Sequence, residues 1–106
     1  MKGERSFRGT GLHSGEPAEL TLRPYSGEGY RFSFPGGGSF ALREGSFSGD
    51  GRGVTISFPS GDVVRTPEHL LASLMGHGID DVEINLTRGT EIPAMDGSAL
   101  EFSSAI

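Results

Sequence analysis

Glu68 and His69 stand side by side in the stretch Thr66-Pro67-Glu68-His69-Leu70-Leu71-Ala72-Ser73-Leu74-Met75-Gly76. The imidazole offers a ring lone pair to a metal ion. The carboxylate beside it is favoured by the positive end of a helix dipole, if the stretch is a helix that starts here. Both residues also have plain structural readings, the Glu as dipole compensation and the His as a surface residue. Which reading holds depends on what positions them.

The stretch carries the start and stop signals of a helix. Thr66 is placed to act as N-cap, its hydroxyl accepting from free backbone N–H groups of the first turn. Pro67 fits the first helical position, where its missing N–H would be unpaired anyway. Gly76 and Gly78 offer a left-handed exit. Leu70, Leu71, Leu74 and Met75 form an apolar stripe at i, i+1, i+4 and i+5. Glu68 and His69 lie off that stripe. Ala72, Ser73 and Gly76 stack over His69 and are all small, so that side is expected to approach another element closely or to leave a hollow.

Two other places hold groups that could do chemistry. Gly9-Thr10-Gly11-Leu12-His13-Ser14-Gly15 puts a His at the tip of a glycine-rich break, which reads either as a hairpin loop or as a backbone loop that approaches a ligand with His13 donating to it. His77 precedes Asp80 and Asp81 by three and four residues, at the end of the central helix.

Composition narrows the classes. The chain has 106 residues, enough for a single domain over 1–106, and 34% of them are hydrophobic. The net charge of −5 and pI near 5.0 argue against a nucleic-acid partner or an anionic membrane surface. With no Cys, disulfides and thiolate metal sites are excluded, and zinc would have to use His, Asp or Glu. No apolar run approaches the ~20 residues of a transmembrane helix, and no apolar signal core follows Met1-Lys2-Gly3-Glu4-Arg5, so a cytoplasmic location is expected. The 18 glycines are spread between apolar runs, which predicts short strands joined by tight turns.

The strands read by alternation. Arg5 to Arg8 is a short candidate, broken at Gly9. Ala18, Leu20 and Leu22 alternate with Glu19, Thr21 and Arg23; Tyr30, Phe32 and Phe34 with Arg31 and Ser33; Val54, Ile56 and Phe58 with Thr55 and Ser57; Val82, Ile84 and Leu86 with Glu83, Asn85 and Thr87. Phe40 to Phe47 is irregular, and Val63-Val64-Arg65 leads towards the helix. Ser98 and Glu101 form a capping box that predicts a second helix from about Ala99, cut off after Ile106. The expected fold is α+β: a two-layer sandwich, mostly antiparallel, with a central helix and a second, truncated helix packed on one face of the sheet.

Three stretches together carry a resemblance: the glycine loop running into Leu20-Thr21-Leu22-Arg23-Pro24, the helix motif running on to Gly78-Ile79-Asp80, and Glu91-Ile92-Pro93-Ala94-Met95-Asp96-Gly97-Ser98-Ala99. In this order they resemble the N-terminal half of the UDP-3-O-acyl-N-acetylglucosamine deacetylases, zinc amidases of lipid A biosynthesis. The match runs from Gly9 to Phe102 and is loosest from about Pro35 to Asp62. The resemblance implies two α+β domains with the active site between them, the second being absent here. It implies His69 as one of three zinc ligands and Glu68 as the base that deprotonates the zinc-bound water. His13 would lie near the substrate, a UDP-linked acylated glucosamine, and Thr66 and Asp96 would support the site. The family's other two ligands, a His and an Asp four residues apart, come from its second half, with a lysine and a further His. The chain alone is therefore expected to be inactive, and to expose an apolar patch beside the central helix for a second domain or a self-associating copy. The rival expectation is a non-catalytic binding or interaction module that keeps the fold.

Overall fold

The computed structural model describes residues 4–11, 15–24, 29–50 and 53–94. Nine strands, one 3-10 turn and one helix follow in the order β1 (Arg5–Gly11), β2 (Pro17–Pro24), β3 (Tyr30–Ser33), β4 (Ser39–Ala41), the 3-10 turn Leu42–Glu44, β5 (Ser46–Asp50), β6 (Gly53–Ser57), β7 (Val63–Arg65), α1 (Glu68–Gly76), β8 (Val82–Arg88) and β9 (Pro93–Ala94). A six-stranded sheet has the order β4-β3-β8-β2-β1-β9, and a three-stranded sheet has the order β5-β6-β7. The fold is α+β, and among the described residues every strand pair is antiparallel except β3 with β8, where Tyr30 lies beside Val82 and Phe32 beside Ile84.

The large sheet has one wet face and one dry face, as the period-two pattern demands. Phe7, Leu20, Leu22, Tyr30, Phe32, Val82, Ile84 and Leu86 are buried. The alternate residues form a polar lattice: Arg8 pairs with Glu19 at 3.1 Å, Arg31 donates to Ser39 Oγ at 2.8 Å, and Ser33 donates to Glu83. Leu70 and Leu74 of α1 belong to the same apolar cluster as these strands, and so do Ile56, Phe58 and Val64 from the β6–β7 region. The layer covering the large sheet is thus part helix and part small sheet. Phe58 joins the layers, its ring centroid 5.6 Å from those of Phe32 and Phe34 and 5.4 Å from that of Phe40.

Several expectations are corrected. β1 does not break at Gly9; it continues to Gly11 because Thr10 and Gly11 gain β9 as a second neighbour. Val63–Arg65 leads to the helix as expected, and does so as a strand paired with β6. The irregular Phe40–Phe47 segment divides into the end of β4, a 3-10 turn and the start of β5. Met75 leaves the apolar stripe and is 60% exposed. Of the three small residues expected to approach another element or to leave a hollow, Ser73 is buried, while Ala72 and Gly76 are exposed. The second helix lies outside the described residues. Among the described residues, no helix is long and apolar enough to cross a membrane.

Tyr30 ties the helix exit to the sheet, its hydroxyl donating to the Ile79 carbonyl at 2.6 Å. Burial, and secondarily the Asp80 carboxylate, push its phenol above the ordinary 10.0. The folded state therefore holds the proton more tightly than the unfolded chain. This contribution to stability is complete below about pH 10 and is lost as pH rises through the folded value. Tyr30→Phe is expected to flatten that alkaline fall in a pH series of urea midpoints; an unchanged slope would assign it to other groups.

Candidate active site

Glu68 and His69 open α1, and both are exposed. Thr66 does not cap the helix as expected: the N-cap is Pro67, which makes no side-chain capping bond. Thr66 sits instead at φ +57°, in the left-handed region that a β-branched residue rarely adopts. Its N–H donates to the Val54 carbonyl at 2.8 Å, and its hydroxyl donates to Glu91 Oε2 at 2.7 Å. A side chain committed to Glu91 is unavailable for capping.

The Glu68 carboxylate is held from the small sheet. Val54 N–H donates to its Oε1 at 3.3 Å. Gly53, at φ +136°, leaves room for it, since a Cβ there would lie 3.0 Å from Glu68 Oε2. Gly53→Ala is thus expected to displace this carboxylate and to strain the β6 start by about 1 kcal/mol or more. Loss of the Val54 amide shift that marks the bond would show the displacement, and an unmoved Val54 resonance would count against it.

His69, Ala72 and Gly76 are exposed along one side of the helix, and a Cβ at Gly76 would meet nothing within 4 Å. That side is open. At the other end of α1, a groove of about 610 Å³ is lined by Tyr30, Leu42, Phe47, Met75, Ile79 and Asp80, among others. Phe47 is 57% and Met75 60% exposed there, so an apolar patch does lie beside the helix, away from Glu68 and His69.

The three sequence stretches meet at the helix start. Arg65 and Glu91 form a parallel bridge, with Arg65 N–H donating to Thr90 O at 2.8 Å and Ile92 N–H to Arg65 O at 3.0 Å. Two residues on, Pro93 pairs with Gly11 in β1. The chain before the glycine loop, the chain after Thr90 and the N-terminus of α1 are thereby stitched together. His13 and Asp96 lie outside the described residues, so only the segments leading to them are placed. His77 is exposed, and Asp81 accepts the Gly29 N–H at 2.8 Å.

The donor set does not complete a metal centre within the described residues, where no group of three or more His, Cys, Asp or Glu could hold an ion. Catalytic zinc usually takes three protein ligands. His69 offers one exposed imidazole at the start of α1. Sequence reasoning missed Gly53, Val54 and the depth of Glu91. A lone carboxylate in the apolar run Glu91-Ile92-Pro93-Ala94 was the available signal for Glu91.

The structure is an α+β domain that presents a carboxylate and an imidazole side by side on an open helix end. The chain belongs to the UDP-3-O-acyl N-acetylglycosamine deacetylase family, whose model matches residues 1–106. It is 39% identical over 109 residues to a UDP-3-O-acyl-N-acetylglucosamine deacetylase of Chlamydia muridarum (strain MoPn / Nigg), covering 100% of this chain and 37% of that protein. The deacetylase of Geotalea uraniireducens (strain Rf4) is 37% identical over 110 residues, covering 100% of this chain and 35% of the relative. That of Citrifermentans bemidjiense is 39% identical over 106 residues, covering 95% and 34%. The chain thus spans little more than a third of the length of these relatives.

Proposed function

We propose that this chain supplies one half of the active site of a zinc-dependent deacetylase that removes the N-acetyl group of UDP-3-O-acyl-N-acetylglucosamine in lipid A biosynthesis, in the cytoplasm. The observation that carries the reading is the convergence of the three family stretches on the first turn of α1, through Gly11–Pro93, Arg65–Glu91 and Thr66–Glu91. Adjacent helix positions point about 100° apart. His69 can therefore face an ion while Glu68 reaches over it from the side.

Zinc, when bound, supplies a water acidified to a pKa of about 7 and a Lewis acid for the developing oxyanion. Glu68 takes the proton of the attacking water, and its carboxylate is aimed by the Val54 N–H. His69 contributes one ligand. By the family resemblance, His13 is assigned to the substrate, and Thr66 and Asp96 to support of the site. The remaining ligands are assigned, by the family resemblance, to a second domain or another copy of the chain.

The test is a chimera in which this chain replaces the matching third of the Chlamydia muridarum relative. Acetate release from UDP-3-O-acyl-N-acetylglucosamine and zinc content are both read. The expected result is activity with one zinc per chain, both lost in His69→Ala. A folded chimera that keeps its zinc and its activity with His69→Ala would remove this reading.

A further inference from the structure

We propose that Glu91 is the positioning residue of this site: it latches Thr66 in a left-handed conformation and so sets where α1 begins and where Glu68 and His69 stand. The proposal rests on the reading of Glu68 and His69 as site residues, but its test does not. Glu91 is only 2% exposed, a placement rare for a carboxylate without strong hydrogen bonds. It accepts the Thr66 hydroxyl at 2.7 Å. The backbone on either side of it is clamped to Arg65, through Thr90 O and Ile92 N–H, so the carboxylate has a fixed place from which to pull.

Thr66 needs that pull. At φ +57° its Cβ and branched side chain crowd the backbone, a conformation that glycine would adopt unaided. Two bonds oppose relaxation: the N–H to Val54 O at 2.8 Å and the hydroxyl to Glu91. Val54 also donates to Glu68. Relaxation of Thr66 would therefore move the helix start and the carboxylate bond together. A glycine at this position would hold the turn with no help; threonine makes the turn depend on Glu91. The three stretches are thus mechanically linked as well as adjacent.

Amide hydrogen exchange in the 106-residue chain tests this. Leu71 N–H bonds to Pro67 O at 3.0 Å in the first turn and is the reporter. Leu20 and Ile84, at the centre of the large sheet, are controls. Glu91→Ala is expected to speed Leu71 exchange about tenfold through loss of the charge-assisted hydrogen bond to Thr66, with Leu20 and Ile84 unchanged. In a Thr66→Gly background the same change should alter Leu71 exchange by less than about twofold, because the strain that Glu91 opposes is gone. Glu91→Gln, which keeps an acceptor oxygen, should give a smaller rise that Thr66→Gly also abolishes; it carries the comparison if Glu91→Ala does not fold. Equal rises in both backgrounds, or a rise shared by Leu20 and Ile84, would make Glu91 ordinary fold glue and overturn the proposal. None of these readings depends on zinc or on deacetylation, so failure of the functional reading would show separately.

Discussion

Glu68→Gln in the chimera lowers kcat for deacetylation by about 10²–10⁴-fold, the usual contribution of a general base. KM and zinc content stay near their starting values. The substitution preserves shape, and the amide oxygen can still accept from Val54 N–H, the one hydrogen bond described for this side chain. What is lost is basicity, needed as the water attacks and not while substrate binds, so the effect falls on kcat. His69→Ala should behave differently, taking zinc content and activity down together. A loss below about tenfold for Glu68→Gln, with zinc retained, would take the base role away from Glu68 and leave it as a dipole-compensating residue in the first turn.

Phe58→Ala is expected to cost about 3–5 kcal/mol. A domain of this size has a total stability of roughly 5–15 kcal/mol. Phe58 is 4% exposed and touches Phe32, Phe34 and Phe40, so its removal opens a cavity between layers that three neighbouring rings cannot all collapse to fill. The ring also anchors the hairpin after β6, whose turn the Phe58 backbone closes, its N–H donating to Asp62 O and its O accepting from Gly61 N–H, each at 2.9 Å. Because β6 also carries Val54, loosening the small sheet would free the Glu68 carboxylate. Urea unfolding checks the stability, and the Val54 amide shift checks the link. A cost under about 1 kcal/mol would mean that the ring cluster does not join the two layers.

Much of this fold was legible in the sequence where one physical effect dominated. Ala18, Leu20 and Leu22, and Val82, Ile84 and Leu86, alternate because one sheet face is wet, and those strands stand as expected. The α+β class followed from them and from the single strong helix pattern. What was not legible depends on partners distant in the chain. Gly9 and Gly11 read as a break, yet the strand continues through them because β9 lies alongside. Threonine before a proline reads as a cap, but Val54 and Glu91 hold Thr66 in a conformation that its own propensity disfavours. Nothing local distinguishes a parallel β3–β8 pair from an antiparallel one, nor Phe47 in a three-stranded sheet from Phe47 in a larger one. For the site, the adjacent Glu68 and His69 were visible as residue types, whereas the groups that aim them, Gly53, Val54 and Glu91, were visible only through contacts.

The place of β8 in the large sheet bears on how the molecule comes into being. β8 is the second-last strand among the described residues, yet it lies between β3 and β2, pairing Ile84 with Leu22 on one side and with Phe32 on the other. Before it exists, β2 and β3 have no bond to each other. During synthesis, the buried faces of Leu20, Leu22 and Phe32 must therefore wait, open to water and to other chains, until nearly the whole described length has left the ribosome. The entropy of closing those long loops is met in one late step, which makes assembly slow and cooperative instead of progressive. A cell making this chain meets its stickiest form just before β8 closes the sheet.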